Sequence, residues 1–230
     1  MLLGFILIGC GLPAFAVTKG ELDNRIRQLG AKFEALQAQP DKCVPAEVLR
    51  QARGIILLDR TKAGFLFAYQ GGGGVAMVKD PVGNAWSPAA FLDANEASLG
   101  FQVGGEQNFF VILLMNTNAT RLLSEPRFEL GGEARGTGID STAGVEGKVA
   151  TVEQPVLIYD DRKGLYGGVA IKGGALTPGE EANHVYYDQF VTMKDILFDK
   201  KVAPSVTATD LARKITEYSH RPPPALAGDR

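Results

Sequence analysis

Histidine, cysteine and tryptophan are scarce in this chain: two histidines, two cysteines and one tryptophan among 230 residues. Each shortage excludes a class of chemistry. His184 and His220 stand far apart, and neither has a second histidine or a cysteine at metal-ligand spacing, so a zinc or iron centre would have to be built mainly from carboxylates. Two cysteines cannot make a disulfide framework. A charge excess is missing too: 24 Lys and Arg against 26 Asp and Glu leave a net charge of −2 and a pI near 5.8. No whole-molecule field draws such a chain to nucleic acid, and no basic run is interleaved with aromatics as a single-strand groove requires.

The catalytic patterns are absent as well. There is no Gly-x-Ser-x-Gly elbow. Gly71-Gly72-Gly73-Gly74 is followed by Val75-Ala76, with no Lys-Ser or Lys-Thr to reach phosphate and magnesium. Gly136-Thr137-Gly138-Ile139-Asp140-Ser141 begins like a dinucleotide fingerprint but carries Ser141 where the third glycine belongs, and no helix is predicted after it. These glycines read as bulges and tight strand contacts. Asp160-Asp161 and Glu180-Glu181 read as solvated turn carboxylates before they read as an acid and base. Trp86 reads as a half-buried core residue before it reads as a ligand platform. The expectation is a non-enzyme with no cofactor, no metal and no nucleic-acid partner.

What the chain does have is glycine, 28 residues of it, spread through a middle region of apolar runs. From Glu21 to Gln37, Leu22, Ile26, Leu29, Phe33 and Leu36 recur at steps of four and three, the stripe of an amphipathic helix. Gly30 weakens that helix by about 1 kcal/mol relative to alanine. Pro40 stops it, and Pro45 opens a short second helix running to about Arg53. Strands are predicted at Ile55 to Leu58, Phe65 to Tyr69, Gly74 to Lys79, Leu99 to Val103, Phe109 to Met115, Arg127 to Glu133, Val145 to Val152, Val156 to Tyr159 and Tyr166 to Ile171, divided by turn signals. Asn116 caps a short helix to Leu123. Helices over Asp188 to Phe198 and Thr209 to Tyr218 precede the Pro222-Pro223-Pro224 tail. Strands do not alternate with long helices, so the fold class is α+β: a glycine-rich, mainly antiparallel sandwich or barrel-like domain with N-terminal and C-terminal helices.

Met1 to Leu12 is almost entirely apolar and too short to span a bilayer, and Ala14-Phe15-Ala16 offers a small-x-small cleavage pattern. Residues 1–16 therefore read as an export signal, which makes the product periplasmic or secreted. In the alternative, Leu7-Ile8-Gly9-Cys10 is a lipoprotein signal and Cys10 carries the anchor. With cleavage after Ala16, Cys43 is the lone remaining cysteine. Residues 17–198 form one domain, and 199–230 a C-terminal helix and proline-rich tail.

An ordered set of motifs spans most of this domain: Ala52-Arg53-Gly54-Ile55-Ile56-Leu57, Lys62-Ala63-Gly64-Phe65, Gly71 to Val75, Trp86-Ser87-Pro88, and Ser98-Leu99-Gly100-Phe101-Gln102-Val103-Gly104. Met115-Asn116, Phe128-Glu129-Leu130-Gly131-Gly132, Lys163-Gly164-Leu165-Tyr166-Gly167-Gly168, and Asn183 with Tyr186-Tyr187 follow. In content and order the set resembles the SYLF domain, also called the Ysc84 or Las17-binding actin-regulator family, in the style of its exported bacterial members. The resemblance implies a lipid-binding module without a catalytic site: eukaryotic members bind phosphoinositides, and some bind actin. It places the lipid contact on the basic amphipathic N-terminal helix, here Lys19, Arg25, Ile26, Arg27, Leu29, Lys32 and Phe33. Glu21, Asp23 and Glu34 offset those cations. The apolar stripe has two destinations, a membrane or the sheet. The partner expected is membrane phospholipid, with an envelope protein as the alternative and actin out of reach of an exported chain.

Overall fold

The computed structural model describes residues 17–60, 72–82, 85–94, 108–129, 156–161, 164–167 and 175–221. The predicted signal, the strands at 65–69, 99–103 and 145–152, the Gly136 to Ser141 run and the proline tail lie outside them.

Chain order is α1 (Lys19–Gln37), α2 (Ala46–Gln51), β1 (Gly54–Arg60), β2 (Gly72–Val78), β3 (Ala90–Ala94), β4 (Asn108–Leu114), α3 (Thr117–Arg121) with a 3-10 turn Leu122–Ser124, and β5 (Phe128–Glu129). Then come β6 (Val156–Asp160), β7 (Gly164–Gly167), β8 (Ala175–Pro178), α4 (Glu180–Tyr187), α5 (Met193–Leu197) and α6 (Val206–His220). The eight strands form one sheet in the order β5-β8-β3-β2-β1-β4-β6-β7, every pairing antiparallel. The α+β, antiparallel expectation holds. Of the layouts left open, the structure has neither a second sheet nor a closed barrel among the described residues: β5 and β7 end an open sheet, and helices supply the outer layers.

Those layers explain the unbroken apolar run of β1. Ile55 and Leu57 join one buried cluster with α1, α2, α4 and α6. Ile56 and Leu58 join a second on the opposite face with α3 and α5. A strand covered on both faces has no polar side to show, so alternation disappears. β4 follows the same rule, with Phe109, Val111 and Leu113 in the first cluster and Phe110, Ile112 and Leu114 in the second.

Local chemistry sets the helix ends. Thr18 and Glu21 make a capping box, Thr18 N donating to Glu21 Oε2 at 2.7 Å and Glu21 N to Thr18 Oγ1 at 3.3 Å, so α1 starts at Lys19, two residues ahead of the predicted start. Asn116 caps α3 as expected. Within the helix predicted over Asp188 to Phe198 only α5, Met193–Leu197, is helical: a Thr192/Asp195 capping box starts it, while Asp188 takes a left-handed conformation, φ 53°, that ends α4, a helix not predicted at all. α6 begins early, at Val206, because Ser205 caps it. No helix among the described residues is long and apolar enough to cross a membrane.

Glycine earns its place in β2 by close approach. A Cβ on Gly74 would stand 2.4 Å from the Leu57 carbonyl oxygen, and one on Gly73 would meet the Arg25 guanidinium at 3.0 Å. The glycine run thus seats β1 and α1 tightly, the structural role its context predicted.

Candidate ligand-binding site

The residues expected to contact lipid divide by the face of α1 they occupy. Ile26, Leu29 and Phe33 are at most 1% exposed and lie with Leu22 and Leu36 in the first cluster, against the sheet, α4 and α6. Phe33 meets the Tyr218 ring edge-on at 5.6 Å. Of its two destinations, the stripe takes the sheet. Five such side chains contribute on the order of 10 kcal/mol, an upper figure comparable with the stability of a whole domain. Presenting them to a membrane would therefore mean opening the domain.

The α1 cations are partly spent inside the molecule too. Arg25 and Lys32, seven residues apart, share the sheet-facing side: Arg25 lies over Gly73, and Lys32 Nζ pairs with Asp59 Oδ2 at 2.5 Å. Lys19 and Arg27 are exposed; Lys19 Nζ sits 5.5 Å from the Tyr186 ring centre, and Arg27 donates to Asn24 Oδ1 at 2.7 Å. The helix does not present its cations as one basic face.

Its N-terminal half is tied down by a polar knot. Tyr186 Oη and Thr207 Oγ1 each donate to Asp23 Oδ1 at 2.7 Å, and Tyr186 Oη is 2.6 Å from Ser205 Oγ. These bonds hold Asp23 below the usual carboxylate range although its burial opposes them, and burial pushes the Tyr186 phenol up to about 12.

A cavity opens at the end of the sheet where β1 begins and β2 ends. Its volume is about 560 Å³, within the range of roughly 300–1,000 Å³ that takes a small-molecule ligand. Apolar wall comes from Val78, Pro88, Leu197, Phe198 and Val202, and the polar contribution from Arg53, Lys79 and Lys200 with Asp80. Trp86 stands in the wall, half-buried and packed on the first cluster. Lys79 Nζ lies 4.9 Å from its ring centre and donates to the carbonyls of Leu49 at 3.1 Å and Arg50 at 2.9 Å, in the last turn of α2. Burial, helped by the Arg53 charge, pushes the Lys79 ammonium down to about 8. Lys200 is paired with Asp80 across the mouth. The Trp86 indole N–H is buried and has no acceptor among the described residues.

Comparison with known proteins places this architecture. A family model described as "Ysc84: Las17-binding protein actin regulator" matches residues 95–218, more than half of the chain. The chain belongs to the Ysc84 family. Relatives of this Ysc84-family chain include the human SH3 domain-containing YSC84-like protein 1, 30% identical over 184 residues that cover 79% of this chain and 53% of that protein. Protein YSC84 of Saccharomyces cerevisiae is 33% identical over 176 residues, 72% of this chain and 36% of that protein. The yeast LAS seventeen-binding protein 3 is 30% identical over 194 residues, 79% and 40% respectively. The chain thus spans about half or less of the length of the relatives it matches.

The Ysc84-family motif residues do mainly structural work here. Asn183, 1% exposed, accepts from Phe91 N at 2.7 Å and donates to Phe91 O at 3.0 Å, and Tyr187 Oη donates to Ala89 O at 2.6 Å, so α4 is bolted to β3. Ser87 Oγ accepts from Val78 N and donates to Pro88 O. The residues weighed for chemistry stay apart. His184 stacks on Phe190 at 4.1 Å, Asp161 accepts from Phe109 N, Asp160 is buried at the end of β6, and Glu180 and Glu181 are exposed in the first turn of α4. No cluster of three metal-ligating side chains occurs among the described residues. The sequence missed the joining of Arg53, Lys79, Trp86 and Lys200, which come from four separate segments; a lysine directly after an apolar strand was its only local signal.

Proposed function

We propose that this Ysc84-family chain is a non-catalytic binding module whose ligand is a membrane phospholipid, recognised by its anionic headgroup, phosphoinositides included. The observation that supports it is the make-up of the cavity beside Trp86: a preformed, largely apolar space whose wall carries more positive than negative charge. Outward-facing Lys19 and Arg27 add attraction to an anionic surface, about 1 kcal/mol each at most, and Glu21 beside them cancels part of it. Export of the chain, read from residues 1–16, belongs to the same proposal; signal cleavage checks it by N-terminal sequencing of the product.

Sedimentation with vesicles of phosphatidylcholine alone and with added phosphatidylglycerol or phosphatidylinositol phosphate tests the ligand. Binding that grows with anionic content, and lipid retained in native mass spectra of gently purified protein, is the expected result. Absence of both overturns it.

A second reading, a protein-interaction module, is favoured by the relatives' names and by Phe190 and Val82, 92% and 94% exposed. A pull-down that retrieves one stoichiometric protein at low salt without lipid, weakened by Phe190→Ser, would support it over the first.

A further inference from the structure

The cavity beside Trp86 has unbalanced charge and a preference built into what is already used up. Asp80 is engaged by Lys200 and accepts from the Val82 backbone at 2.8 Å. The Ser87 and Thr120 hydroxyls are donated to backbone carbonyls. Arg53 and Lys79 are neighbours across the start of β1, Lys79 N donating to Arg53 O at 2.8 Å, and neither side chain has a carboxylate partner among the described residues. The Lys79 ammonium gives two of its three protons to the α2 carbonyls and keeps one. Two like charges beside a low-dielectric wall repel, and an anion between them converts that repulsion into two charge-assisted hydrogen bonds. Beyond them the wall is apolar, and about 560 Å³ takes one alkyl chain, so a phospholipid would seat its headgroup here with one of its two chains outside, whereas a single-chain amphiphile fits whole.

Resting on the lipid reading above, we propose that this cavity holds a single-chain amphiphile with one carboxylate or phosphate headgroup, the anion seated between Arg53 and Lys79 and the chain lying along Val78, Leu197, Phe198 and Val202. The ligand is thus drawn into the domain as one molecule, a different event from adsorption of α1 to a surface.

Trp86 is the one tryptophan of the chain, so fluorescence excited selectively in the tryptophan band, beyond tyrosine absorption, reports on this cavity. Titration with monomeric dodecanoate and monododecyl phosphate at pH 7 is expected to give a saturable, one-to-one response. Dodecanol should bind about tenfold or more weakly, and dodecyltrimethylammonium not at all. A tighter phosphate arm points to a phospholipid source and a tighter carboxylate arm to a free fatty acid; either supports the site. Arg53→Gln changes an exposed side chain and should weaken both anions about tenfold, as should Lys79→Met, with circular dichroism confirming that each variant is folded. The groups facing Lys79 are Arg53, the α2 carbonyls and the Lys200–Asp80 pair; wild-type affinity should fall between pH 7 and pH 9, and Lys79→Met should not show that fall. Equal binding of dodecanol and dodecanoate, or full affinity in Arg53→Gln, overturns the clamp. No Trp86 response while vesicle binding persists overturns the cavity and leaves the lipid reading standing, whereas loss of both removes the reading itself.

Discussion

Phe33→Ala separates the two destinations of the α1 stripe. Phe33 is fully buried between α1, the sheet and α6, and its ring contacts Tyr218 edge-on at 5.6 Å. Truncating a buried phenylalanine costs about 3–5 kcal/mol, the transfer loss plus the cavity left behind, and loss of the aromatic pair falls within that figure. In a domain of this size each kcal/mol lowers Tm by about 2–4 °C, so a drop of about 6–20 °C is expected, with a lower urea midpoint at unchanged slope. The assay is paired: urea and thermal unfolding by circular dichroism, and vesicle sedimentation at a temperature where the variant is still folded. A stripe that packs on the sheet gives a large stability loss and little change in lipid binding by the folded fraction. Undiminished stability with vesicle binding lost would refute the packing and return Ile26, Leu29 and Phe33 to the membrane.

Glycine positions test the packing from the other direction. A Cβ on Gly30 would make ordinary contact with Leu211 Cδ1 at 3.5 Å, so Gly30→Ala should stabilise by up to about 1 kcal/mol and raise Tm by a few degrees. Gly74→Ala drives a methyl into the Leu57 carbonyl and should destabilise by more than about 2 kcal/mol or abolish soluble expression. At low pH the Asp23 knot sets a sign: its folded carboxyl lies below the ordinary value of 3.8, so its stabilisation is present above that value and lost as pH falls through the folded one. Asp23→Asn should flatten the acid-unfolding curve below about pH 4 while lowering stability at pH 7. On the alkaline side, the folded Lys79 value of about 8 lies below its ordinary 10.5, so stability should rise with pH between them, and Lys79→Met should remove that rise in urea midpoints measured from pH 8 to 10.

Much of the fold was legible because its signals are local. The stripe from Leu22 to Leu36 gave α1, the apolar runs gave β1, β4 and β6, and Asn116 announced α3. β3 and β8 escaped for a physical reason: Ala90-Phe91-Leu92-Asp93-Ala94 has no β-branched residue, Ala175-Leu176-Thr177-Pro178 ends in proline, and both are strands because of what they pair with. α4 escaped too, because Glu180-Glu181-Ala182-Asn183-His184 offers a single apolar residue, and apolar Phe190 and Val191 drew the next helix back to Asp188, ahead of its start at Met193. The site was the least legible part. Periodicity foretold that α1 had an apolar face but not that the sheet would cover it, and nothing local foretold that Arg25 and Lys32 would be taken up beneath the helix.

The motif residues that mark the Ysc84 family can be sorted by whether the fold uses them. Gly74 makes room for the Leu57 carbonyl, Ser87 joins the Val78 amide to the Pro88 carbonyl, Asn116 caps α3, and Asn183 and Tyr187 fasten α4 to β3. Each has a backbone partner, so each is accounted for by folding alone. Arg53 and Trp86 stand in the same motifs and differ: the guanidinium is exposed with no ion pair, and the indole N–H is buried with no acceptor, among the described residues. Where local consistency fails in an otherwise consistent sequence, function is the usual reason. Both residues line a cavity in which uncompensated charge meets an apolar wall, and so the part of the motif that folding leaves unexplained coincides with a part of the surface equipped to hold a ligand.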